Sequence, residues 1–72
     1  MKKRIKLTDL DCAACAAKME EAIRKIPGVN SATVSFLTQK LTLDADESRF
    51  DEIVKQAAAV CKKIEPDCRL NP

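Results

Sequence analysis

The chain has no histidine, no tyrosine and no tryptophan. Any metal chemistry must therefore use cysteine, aspartate, glutamate or main-chain oxygen. The only aromatics are Phe36 and Phe50. A sheet that binds RNA stacks bases on exposed aromatics of its central strands. Neither phenylalanine falls in the first or third strand read below, which argues against RNA. Strong charge of one sign is missing too. A net charge of +2 with 33% charged residues is an ordinary surface, not the profile of a nucleic-acid binder. Long apolar runs are also absent. Ala57 to Cys61 is the longest in the second half, far short of the ~20 residues a membrane helix needs. The basic start, Met1 to Leu7, is not followed by an apolar core or a cleavage site, so no secretory signal is expected. Residues 1–72 are enough for a single domain with a modest core. The expectation is a soluble monomer in a reducing cytoplasm, with its cysteines as free thiols.

What the chain does have is Asp11-Cys12-Ala13-Ala14-Cys15. Two thiols at this spacing can reach one metal ion from a single loop, or can close a disulfide. The alanines between them leave the loop free to wrap an ion.

On the N-terminal side, Ile5 and Leu7 alternate with Arg4, Lys6 and Thr8, which predicts a short strand with one buried face. On the C-terminal side, Met19, Ala22, Ile23 and Ile26 recur at helical spacing, which predicts an amphipathic helix over 15–26. Met19 faces the sheet in that register. Pro27-Gly28 ends the helix, and Gly28 is the only glycine.

Period-two patterning returns at Val29, with Ala32, Val34 and Phe36 on the inner face. A turn at Leu37-Thr38-Gln39 leads to Leu41 and Leu43, giving a hairpin. Ser48-Arg49-Phe50-Asp51 has the form of a capping box, so a second helix should begin near Arg49. Its apolar face is Phe50, Ile53, Val54, Ala57, Cys61 and Ile64, and Pro66 stops it. A short last strand is expected over 67–70, with Cys68 and Leu70 on one side.

This order predicts an α+β fold of the ferredoxin-like βαββαβ type. It has a four-stranded antiparallel sheet with two helices on one face. Three connections then share one end of the sheet: the cysteine loop, the turn near Thr38, and the loop before the last strand.

For Cys12 and Cys15, metal binding is favoured over redox chemistry. A thiolate is stabilised near a helix N-terminus, and two sulfurs suit soft or borderline ions. A thioredoxin-like pair needs a longer chain and a different strand order. Asp11 has two readings, as a helix N-cap or as a third, oxygen ligand. Cys61 and Cys68 read first as small buried hydrophobes. As possible extra ligands they would complete a four-cysteine zinc site.

The segment Asp9-Leu10-Asp11-Cys12-Ala13-Ala14-Cys15, with Ala16-Ala17-Lys18-Met19-Glu20 and Ile26-Pro27-Gly28-Val29, resembles the heavy-metal-associated domains. Asp9-Leu10 stands where that family usually has Gly-Met, and the loop after the second helix lacks its usual Gly-aromatic or Gly-Lys pair. The resemblance implies metal binding at Cys12 and Cys15. Asp11 before the first cysteine resembles the zinc, cadmium and lead branch of metal-exporting P-type ATPases, with copper(I) as the alternative cargo. The implied partner is a metal donor or acceptor, foremost the rest of such an ATPase. The implied place is the cytoplasmic side of a membrane transporter, with no catalysis by the domain itself. A free-standing metallochaperone is the alternative.

Overall fold

The computed structural model describes residues Met1–Asn71. Strand β1 is Lys2–Thr8, helix α1 Ala13–Arg24, β2 Val29–Ser35 and β3 Lys40–Ala45. Helix α2 is Phe50–Ile64 and β4 is Arg69–Asn71. The sheet order is β2-β3-β1-β4 with every neighbouring pair antiparallel. This is the predicted ferredoxin-like arrangement. The alternation in β1 and β3 explains it: Ile5, Leu7, Leu41, Leu43 and Ala45 are buried, while their neighbours along each strand are not. Both helices cover that face. Met19 and Ile23 of α1 and Ile53, Ala57 and Cys61 of α2 are fully enclosed. At about 25 cal/mol per Å² of apolar area, such burial is the main force holding a domain of this size.

Helix α1 begins two residues earlier than the apolar spacing suggests, at Ala13. The alanine pair looks like loop because it adds nothing to the apolar stripe. Alanine is nevertheless the strongest helix former, and it extends the helix toward the cysteines. At its other end α1 seals an edge of the sheet. Arg24 Nε donates to Ala32 O at 2.9 Å, and Val34 N donates to Glu20 Oε1 at 2.9 Å. Two of the outward main-chain groups of edge strand β2 are thereby occupied, which hinders pairing with another chain.

Two local expectations are corrected. Phe36 does not extend the inner face of β2. The strand ends at Ser35, and Phe36 enters a turn where it is 36% exposed. The tight reversal to β3, with Gln39 at φ 55°, takes it out of the pleat. The start of α2 is not capped by Ser48. Asp46 Oδ1 accepts from Ser48 N at 3.2 Å and caps a single 3-10 turn over Glu47–Arg49, from which α2 continues. Asp46 wins because its carboxylate is a stronger acceptor for the free N–H groups than a hydroxyl.

As the topology requires, the cysteine loop, the β2–β3 turn and the α2–β4 connection gather at one end of the sheet. Leu7 N donates to Gln39 O at 2.7 Å across that end.

Candidate metal centre

The loop from β1 to α1 is set by two residues before the first cysteine, Asp9 and Leu10. Asp9 adopts φ 60°, a left-handed conformation that favours glycine and that aspartate tolerates better than most residues. Leu10 turns inward and is 2% exposed, plugging the core beneath the loop. Its main chain is held from the neighbouring turn: Leu10 N donates to Gln39 Oε1 at 3.0 Å, and Gln39 Nε2 donates to Leu10 O at 2.7 Å. The sequence reading saw Gln39 only as a turn residue. Nothing local marks it, because its partner lies 29 residues away.

Cys12, not Asp11, is the N-cap of α1. It has extended backbone angles (φ −128°, ψ 119°), and its sulfur accepts from Cys15 N at 3.2 Å. The cap moves because α1 begins at Ala13, directly after Cys12. Cys15 lies in the first turn, half-buried, with its apolar side against the core. The two thiols thus sit together at the positive end of a helix dipole.

Their electrostatics differ. The Cys12 thiol is lowered from its ordinary value, first by the hydrogen bond from the Cys15 side chain and then by main-chain N–H groups of Cys15 and Ala14. Cys15 is pushed up to about 11, first as the donor in that hydrogen bond and then by burial and the charge of Cys12. One proton shared between neighbouring sulfurs explains the opposite directions.

Glu65 is the residue that sequence reasoning missed. It is half-buried at the C-cap of α2, where its N–H donates to Cys61 O at 2.8 Å and its carbonyl accepts from Cys68 N at 2.9 Å. Hydrogen bonding and charge from its carboxylate add to the upward push on Cys15. It makes no ion pair among the described residues. The one available signal was topological: Glu65 occupies the connection that the fold brings back to the cysteine loop. Asp11 is exposed, and its charge acts on Cys68 rather than on the two motif thiols.

Cys61 is wholly buried and Cys68 is 3% exposed, as their apolar registers predict. Burial pushes Cys61 up to about 12 and also raises Cys68. Cys68 is the nearer to the loop, since it feels Glu65, Asp9 and Asp11. All four cysteines are free thiols. Among the described residues, no three Cys, Asp or Glu side chains converge into a preformed metal cluster. A closed four-cysteine site is not assembled here.

The paired thiols at the start of α1, on a βαββαβ frame, coincide with a known family pattern. The heavy-metal-associated domain model matches residues 4–65. The chain belongs to the heavy-metal-associated domain family. This HMA domain is 54% identical over 41 residues to a zinc/cadmium/lead-transporting P-type ATPase of Escherichia coli (strain K12). That match takes in 57% of this chain and 6% of the relative. It is 32% identical over 66 residues to a cadmium, zinc and cobalt-transporting ATPase of Bacillus subtilis (strain 168), with coverage of 92% and 9%. The chain therefore spans less than a tenth of the length of these relatives. Among solved structures, the N-terminal domain of ZntA in its Zn(II) form is similar, with a TM-score of 0.74 and 37% identity. The likeness covers 97% of this chain and 88% of that one. The HMA domain is a metal-binding module, found within ATPases. Among the described residues, no helix is long and apolar enough to cross a membrane.

Proposed function

We propose that this HMA domain binds one divalent zinc, cadmium or lead ion through Cys12 and Cys15 and passes it to another thiol site. In this reading residues 1–72 act as one cytoplasmic N-terminal domain of a heavy-metal-exporting P-type ATPase. The observation that carries it is the pairing of two thiols at a helix start with a half-buried carboxylate that lacks a cation. Two thiols and a carboxylate lie toward one end of the sheet, and a divalent cation compensates the negative charge that appears when both thiols ionise.

The chain's own residues divide the work. Cys12 is the thiol predisposed to ionise, so it meets the incoming ion first. Cys15 loses its proton as it joins, and the two thiolates neutralise a divalent charge. Asp11 or Glu65 then supplies an oxygen donor. Carboxylate oxygen suits Zn(II), Cd(II) and Pb(II) better than Cu(I), which two sulfurs satisfy. A site with few ligands leaves an open side, so an acceptor thiol can enter and take the ion by exchange. The zinc, cadmium and lead named for the Escherichia coli relative support this choice of cargo.

The test is a competition titration of the reduced protein with Zn(II), Cd(II) and Cu(I), with Cys12→Ser and Cys15→Ser as controls. One divalent ion per chain, lost in both variants, is expected. Catalytic turnover in a disulfide-reduction assay, with no metal uptake, would return the motif to redox chemistry.

A further inference from the structure

The face of the sheet turned away from the helices has no role in the metal reading. Among the described residues, twelve strand side chains point from it: Lys2, Arg4, Lys6 and Thr8 of β1, Lys40, Thr42 and Asp44 of β3, Ser31, Thr33 and Ser35 of β2, and Arg69 and Asn71 of β4. The register aligns them in rows, with Lys6 opposite Lys40 and Thr8 opposite Arg69. Five are cationic (Lys2, Arg4, Lys6, Lys40 and Arg69), and Asp44 is the one acid. The other six are Ser, Thr or Asn, and none is apolar or aromatic. Asp44 is partly occupied by the N-terminal ammonium at 3.7 Å. The remainder of the chain holds eight basic and ten acidic residues. The charge is thus segregated: +4 on this face and −2 elsewhere, within a total of +2. Toward the β2–β3 turn is a shallow basin of about 270 Å³ lined by Arg4, Thr33, Ser35, Thr38, Lys40 and Thr42. Hydroxyl and cationic donors together suit phosphate oxygens.

We propose that this outer sheet face docks on the headgroups of an anionic phospholipid bilayer. The composition of the face selects the occupant. Protein interfaces are commonly anchored by aromatic side chains or arginines packed at their centre; the strands of this face carry arginines but no aromatic or apolar side chain, and the exposed Leu37 lies in the turn at its end. A single-stranded nucleic acid needs stacking platforms, and these are absent too. A charged lipid surface needs only a flat array of cations, and segments with four to eight of them are the usual size for this purpose. The arrangement also leaves the thiols free. Cys12 and Cys15 lie at the end of the sheet on the helix side, so docking does not cover them. The setting, beside a membrane transporter, rests on the function proposed above, but the charge array stands apart from it.

The test is vesicle sedimentation of the metal-free protein at low ionic strength. One arm uses phosphatidylcholine alone, and the other a mixture with phosphatidylglycerol. Binding is expected to the mixed vesicles only and should disappear in high salt. Arg4→Gln/Lys6→Gln/Lys40→Gln should weaken partitioning by about a hundredfold, since each cation near an anionic surface contributes about fivefold. Lys18→Gln/Lys25→Gln/Lys62→Gln makes the same change in net charge on the helical side and should weaken it far less. Circular dichroism checks that both triples stay folded. Equal loss in the two triples overturns the assignment of a face, and equal binding to both vesicle types overturns the anionic surface. Displacement by low millimolar inorganic phosphate would instead make the basin a site for free phosphate. Tighter binding to single-stranded RNA than to vesicles at equal salt would also overturn it. Metal titration of the same samples keeps this outcome separate from that of the proposed function, since neither depends on the other's result.

Discussion

Replacing Gln39 by alanine removes the side chain that fixes the cysteine loop. Gln39 makes two hydrogen bonds to the main chain of Leu10, at 3.0 and 2.7 Å, and one to Phe36 O at 2.9 Å. The pair to Leu10 is half-buried, and the bond to Phe36 is exposed. A net contribution near 1 kcal/mol for each half-buried bond, and little for the exposed one, gives a loss of about 2 kcal/mol. For a chain of this length that lowers Tm by roughly 8–16 °C. Gln39 also holds φ 55°, which alanine keeps under strain and glycine does not. Gln39→Gly should therefore be less destabilising than Gln39→Ala by about 1 kcal/mol. Thermal unfolding followed by circular dichroism measures both. Amide exchange at Leu10 supplies the local readout, since its N–H loses its acceptor while β1 and β3 keep theirs. An unchanged Tm in Gln39→Ala, with Leu10 still protected, would show that the loop is held by its own residues. A larger loss for glycine than for alanine would refute the strain at position 39.

Other outcomes follow from the same geometry. Glu65→Ala and Asp11→Ala, titrated side by side, separate the two carboxylates: the variant that loses the oxygen donor should bind Zn(II) and Cd(II) about ten- to a hundredfold more weakly, with Cu(I) little affected. If neither variant changes, the ion is held by sulfur alone. Cys61→Ala should lower stability by about 1–2 kcal/mol in denaturant unfolding and leave ion stoichiometry unchanged. Gly28→Ala should be more damaging, by about 2 kcal/mol or more, because position 28 lies at φ 95° and an added Cβ would come within 2.9 Å of Ile53 Cδ1. Alkaline pH should destabilise the protein from about pH 9 upward. The sign follows from Cys61: its folded value, raised to about 12 against an ordinary 9.0, keeps it protonated while the unfolded chain releases the proton. Stability present below pH 9 is therefore lost as pH climbs toward 12, and Cys61→Ala should flatten part of that fall.

The periodicities alone determined the fold. Ile5 and Leu7, then Leu41 and Leu43, alternate because each strand buries one face. Met19 and Ile23, then Phe50, Ile53, Ala57 and Cys61, recur at helical spacing because each helix buries one stripe. These are local signals, and in a chain with little else to bury they leave one economical packing. The Cys12–Cys15 spacing was equally local, since a single loop carries both sulfurs. Tertiary structure decided what depends on the meeting of distant segments. It gave the N-cap to Cys12 by starting α1 at Ala13. It turned Gln39 into the clamp on Leu10. It brought Glu65 from the end of α2 to the side of Cys15, while Asp11 stayed exposed. Hydrogen bonds and charge act through space over a few ångströms, so partners 29 or 50 residues apart leave no periodic trace in the chain. The basic sheet face belongs to the same class. Its cations are scattered along three strands, and only the antiparallel register gathers them on one side.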